Sequence, residues 1–179
     1  MEFTDLIYTR IVTSFLSFPS INSWLITFTL LLIISLICLP IGFKTGLLRR
    51  KNQSLPLRIS ISVSITCFFF PALSEELFFR VMLLPCKTEN ASSTIQFIWD
   101  CISLLAYILS HSLNAVTLYK KGFTTFTNPI FLLSASVLGI TCSIAYLESG
   151  SIWTAITIHW ITVIAWLLFL GGYAKLNYL

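Results

Sequence analysis

Ser74-Glu75-Glu76-Leu77-Phe78-Phe79-Arg80 decides how this chain is read. Two adjacent carboxylates and an arginine lie inside an almost unbroken apolar run from Ile59 to Leu84. An ionised group at the centre of a bilayer costs about 2.5–3.5 kcal/mol on insertion scales. Three such groups in one run call for partners and a purpose. Two further ionisable residues, His111 and His159, lie in later apolar runs.

Composition agrees that the run is a membrane span. Of 179 residues, 56% are hydrophobic and only 10% charged. A soluble domain of this size carries about 25% charged residues, so this chain cannot cover a water-facing surface. The net charge of +4 does not indicate nucleic-acid binding, because the basic residues fall in loops between apolar runs. Five cysteines are scattered at 38, 67, 86, 101 and 142. No pair has metal-ligand spacing, and those within apolar runs read as reduced packing residues. A Cys86–Cys101 disulfide is the lesser alternative.

Five apolar runs are long enough to cross a bilayer, which needs about 20 helical residues. They are Trp24 to Phe43, Ile59 to Leu84, Ile95 to Tyr119, Ile130 to Leu147 and Ile152 to Leu170. Pro40 breaks the first run late, Pro71 should kink the second and Pro85 stops it. Ala135, Gly139 and Ser143 recur every four residues, which predicts that the fourth helix packs centrally. Residues 1–22 form an amphipathic segment rather than a signal peptide. Phe3, Leu6, Ile7, Ile11, Phe15 and Phe18 take one side; Glu2, Asp5, Thr9, Thr13 and Ser17 take the other. The expected fold is therefore all-α: one polytopic membrane domain over 1–179, with five transmembrane helices and an interfacial N-terminal helix.

Loop charge predicts the orientation. Lys44, Arg49, Arg50, Lys51 and Arg58 lie between the first and second runs, Lys120 and Lys121 between the third and fourth, and Lys175 after the fifth. The other side carries Glu2, Asp5, Glu89, Asp100 and Glu148 with only Arg10 and Lys87 as basic residues. The positive-inside rule puts the C-terminus and the basic loops in the cytoplasm.

Glu76 and Arg80 are four apart and share a helix face, so they read as an ion pair. Glu75 points about 100° away and is left without that partner, which favours a raised pKa and general-base chemistry. His111 and His159 would otherwise be uncompensated in lipid, so they should meet the glutamates. Three chemistries fit such a set. In the first, Glu75 activates water for peptide-bond hydrolysis while His111 shares the water and His159 stabilises the oxyanion. In the second, Glu75, His111 and His159 ligate a metal, zinc being the natural choice. The third is a proton path, against which the lack of an internal repeat argues.

Glu75-Glu76-x-x-x-Arg80, Tyr107-x-x-x-His111 and the Ser151–His159 stretch, each in its own apolar run, resemble the three motifs of the CPBP family. These are the CAAX proteases and bacteriocin-processing enzymes, also known as Abi proteins. The resemblance covers about residues 59–172. It has Tyr107 where Phe is usual and Val163 where the third motif carries Asn or Asp; Asn114 is a candidate substitute. The resemblance implies an all-α core with an intramembrane cavity and an endopeptidase of glutamic type, a class formerly regarded as metal-dependent. Glu75 would be the base with Glu76 beside it, Arg80 the orienting cation, His111 the second catalytic group and His159 the oxyanion residue. It implies a peptide or protein substrate in contact with membrane lipids, such as a lipidated or membrane-embedded segment. Val163 raises the alternative of a scaffold or immunity protein that kept the fold and lost activity.

Overall fold

A computed structural model describes residues 3–50, 55–117 and 120–176. Glu2, Lys51 and Tyr119, used in the sequence reading, lie outside the described residues. The described chain is helical, without strands. Five of its helical segments are long and apolar enough to cross a membrane: Ile21–Lys44, Leu57–Glu89, Ser93–Val116, Pro129–Ser149 and Ile152–Phe169. Large apolar side chains such as Leu25, Phe28, Leu32, Phe97 and Leu105 face outward, as they must where lipid is the solvent.

Helix α1 (Phe3–Leu16) precedes α2 (Ile21–Lys44). The Ser20 hydroxyl accepts the Ser23 amide at 3.1 Å and starts α2. Pro40 was expected to break this run; instead α2 continues through it to Lys44. α1 is more firmly docked than an interfacial helix need be. Ile11 and Phe15 pack on the core, while Phe3, Tyr8 and Leu16 stay exposed. Arg10 Nε and Nη2 each donate to the Glu89 carboxylate at 2.7 Å, and Nη1 donates to the Met82 carbonyl at 2.7 Å. Trp153 Nε1 holds the Phe15 carbonyl at 3.1 Å.

The second span departs furthest from a plain helix. It begins as α3 (Leu57–Cys67), opens into a π-helical segment Phe68–Leu73, passes through α4 (Ser74–Glu76) and widens again over Leu77–Met82. Phe70 is extended, with φ −134° and ψ 114°. Proline crowds the residue before it out of the α region, so Pro71 forces this break. π-bulges shift the side-chain phase and recur at functional sites. Here they bracket the two glutamates.

Helix α5 (Ser93–Val116) starts at Ser92, whose hydroxyl accepts the Ile95 amide. The short α6 (Phe123–Phe126) leads to α7 (Pro129–Ser149) and α8 (Ile152–Ile164), which continues as a π-helical turn over Ala165–Phe169 before α9 (Gly172–Lys175). Asn128 caps α7 through its side-chain oxygen, with Pro129 at the first helical position. Gly150 takes φ +71° at the other end and turns the chain into α8. α7 is the central helix, packing against α2, α5 and α8. Gly139 explains the closeness: a Cβ there would meet Leu104 Cδ1 at 2.8 Å and Tyr107 Cδ1 at 3.1 Å.

The expected loop alternation is visible in the contacts. At one end of the bundle, Arg49 N donates to the Leu170 carbonyl and Lys175 Nζ to the Gly46 carbonyl. At the other lie Arg10–Glu89 and Lys87 Nζ on the Glu148 carbonyl. Cys86 is buried and Cys101 exposed, and both are free thiols, so the disulfide alternative is not realised.

Candidate functional site

Glu76 and Arg80 are adjacent turns of one span, both almost wholly buried. Arg80 Nε lies 3.2 Å from Glu76 Oε2, without hydrogen-bond geometry. Arg80 Nη2 donates to the Gly139 carbonyl on α7 at 2.9 Å. Its guanidinium carbon lies 4.7 Å from the centre of the Tyr107 ring, a cation–π arrangement. The arginine therefore ties the second span to α5 and α7 at one point.

Glu76 reaches across to α8. His159 Nδ1 meets Glu76 Oε1 at 2.6 Å. The carboxylate next to Arg80 accepts, so Nδ1 carries a proton and the ring turns Nε2 the other way. That Nε2 lies 3.9 Å from Glu75 Oε2. His159 thus stands between the two glutamates, hydrogen-bonded to one and facing the other. Glu76 is sealed, whereas the Glu75 side chain keeps 18% of its surface open.

That opening is a cavity of about 1150 Å³ between α2, α3, α5, α7 and α8. Its wall includes Glu75, Tyr107, His111, Asn114, His159 and Val163, amid mostly apolar side chains such as Leu31, Ile34, Phe70 and Leu138. Of the five residues singled out by the sequence, Glu75, His111 and His159 line this cavity. Glu76 and Arg80 stand behind it. His111 Nδ1 lies 2.9 Å from the Tyr107 carbonyl. A carbonyl only accepts, so this nitrogen carries a proton. Tyr107 touches both imidazoles edge-on, with ring centres 4.7 Å from His111 and 6.2 Å from His159.

The sequence reading missed Cys142, which it treated as a packing residue. Cys142 follows Gly139 by one helical turn on the same face of α7, and that spacing was the available signal. Its Sγ lies within 4.8 Å of ligand atoms from Glu76 and His159, a group compact enough to hold a metal ion. The expected metal set of Glu75, His111 and His159 does not gather in this way among the described residues. His111 is held back on the Tyr107 carbonyl one turn before it. In the arrangement described, the Glu76 group is engaged in contacts of its own, which an ion would have to displace. Its carboxylate and imidazole are already hydrogen-bonded to each other at 2.6 Å, and Cys142 Sγ faces the Ala155 carbonyl at 3.6 Å as a thiol. The Arg80 guanidinium already balances the carboxylate, and a second cation beside it would be repelled.

Neither the curated proteins nor the solved structures give a match to this chain. The family model for type II CAAX prenyl endopeptidases, Rce1-like, matches residues 56–165. That interval takes in Glu75, Glu76, Arg80, His111 and His159, and the spans that bring them around one cavity. The chain belongs to the Rce1-like type II CAAX prenyl endopeptidase family, a family of intramembrane proteases.

Proposed function

We propose that this protein hydrolyses a peptide bond within the membrane, using water activated by Glu75. The observation that carries this reading is the meeting of Glu75 and His159 on the cavity wall, with Glu75 Oε2 3.9 Å from His159 Nε2. A water on the cavity side can be held by the Glu75 carboxylate and His159 together, which leaves a lone pair free to meet a carbonyl carbon. The water oxygen bonds to that carbon as its proton passes to Glu75, and the carbonyl π pair moves onto oxygen. When the pair returns, the C–N bond breaks and the proton goes from Glu75 to the departing amine. Glu76 and Arg80 are positioning residues in this scheme: they fix the His159 tautomer and aim its Nε2 at the cavity. In this scheme His159 holds water through Nε2, a different role from the oxyanion one that the resemblance implied. His111, on the same wall, relays protons.

Burial of the site among apolar side chains supports a substrate that arrives through lipid, as a lipidated or membrane-embedded peptide segment. The basic loops and the C-terminus lie on the cytoplasmic side in this proposal, following the charge bias. Val163 gives the cavity an apolar wall at the third-motif position and favours the second reading, an inactive scaffold. One comparison separates the two: new peptide N-termini in membranes holding wild type or Glu75→Gln. Hydrolysis predicts N-termini found only with wild type. Identical profiles from two folded, abundant proteins would favour the scaffold.

A further inference from the structure

The proposed site has acceptors in excess. Glu75 only accepts when ionised, and both imidazoles commit their Nδ1–H elsewhere, to Glu76 and to the Tyr107 carbonyl. The reaction needs the opposite as well: a donor for the oxygen on which negative charge develops. Among the described lining residues, Tyr107 supplies an O–H of the required kind. Its side chain is wholly buried, and its hydroxyl has no hydrogen-bond partner. Buried hydroxyls in native structures nearly always have one, so a sealed and unpaired O–H requires an explanation.

The ring is held on every side. His111 and His159 pack against it in T-shaped contacts, Arg80 covers a face, and α7 comes so close at Gly139 that a Cβ there would lie 3.1 Å from Tyr107 Cδ1. A ring clamped in this way points its hydroxyl in a fixed direction, and that is what preorganised stabilisation of charge requires. Thr162 Oγ1 and Trp166 Nε1 are also unpaired on the cavity wall. Trp166 packs on Phe131 and Gly172, and Phe131 stands between it and His111. No ring contact ties Thr162 to either imidazole.

We propose that the Tyr107 hydroxyl is a further catalytic group, the donor that hydrogen-bonds the carbonyl oxygen as it becomes an oxyanion. This rests on the hydrolytic reading above. The hydroxyl keeps its proton throughout. It stabilises the charge while water adds, and releases it when the C–N bond breaks.

The test uses the full chain in lipid nanodiscs and a synthetic peptide spanning a cut found only with wild type. Tyr107→Phe is expected to lower kcat by about 10²-fold, the usual loss for one oxyanion donor, with KM within about threefold. The acid limb of the pH profile should stay in place and the melting midpoint should not fall, because the hydroxyl has no partner to lose. Thr162→Val should keep its rate. An unchanged kcat in Tyr107→Phe would overturn the proposal. So would a loss accompanied by a moved acid limb, which would make Tyr107 a positioning residue for Glu75. Should Tyr107→Phe not fold, Tyr107→3-fluorotyrosine keeps the shape and strengthens the donor; an unaltered kcat there would also overturn it. Glu75→Gln run alongside keeps the two ideas apart. Its full activity would sink the hydrolytic reading, whereas an inactive Glu75→Gln beside a fully active Tyr107→Phe would sink only this one.

Discussion

Glu75 and Glu76 are consecutive residues with opposite surroundings. Glu76 is sealed among Arg80, His159 and α7, while Glu75 opens on the cavity. The difference comes from helix phase. A step of about 100° turns one carboxylate into the bundle and the other toward open space, and the π-helical turns on either side set where those two directions fall. Adjacent identical side chains can thus divide the work between holding a site together and acting in it.

The sealed side should give the largest effect on folding. Arg80→Met leaves Glu76 buried beside His159 without its cation. Removing one partner of a buried pair typically costs about 3–5 kcal/mol. The expected result is a sharp loss of folded protein in detergent, read by size-exclusion yield and melting midpoint. A melting profile like that of wild type would mean that the pair contributes little. A smaller effect is expected far from the cavity. Arg10→Ala removes the paired bonds to Glu89 and the bond to Met82, worth about 1–3 kcal/mol together if part of the loss is recovered by solvent. Limited proteolysis should then release α1 before the other helices. Protection equal to wild type would show that Ile11 and Phe15 hold α1 unaided. The smallest effect concerns metal. Because the Glu76 group is internally bonded, strong chelators should leave wild-type cleavage unchanged. Loss of cleavage, restored by added zinc, would overturn the water-activation scheme as drawn.

Much of the fold was legible because bilayer thickness converts apolar length directly into helices. All five runs became spans with ends shifted by a few residues, and Ala135-Gly139-Ser143 marked the central helix. Local detail was less legible. Pro40 did not break α2, and Pro71 gave an extended residue and a π-helical turn where a simple kink was expected. Hydropathy carries no information on such changes of phase. At the site, charge in apolar runs pointed to Glu75, Glu76, Arg80, His111 and His159, but not to which glutamate would hold His159. That depends on the rotation of α8 relative to the second span, which is set by packing such as Trp160 Nε1 on the Ser64 carbonyl at 2.8 Å. Cys142 escaped notice because a thiol in an apolar helix looks like any other small packing residue.

The division between the two carboxylates is tested most directly by measuring cleavage rate and melting midpoint for Glu75→Gln and Glu76→Gln side by side. The account predicts that Glu75→Gln melts near wild type and does not cleave, whereas Glu76→Gln melts well below it. Cleavage by Glu75→Gln at the wild-type rate, with Glu76→Gln as stable as wild type, would contradict it.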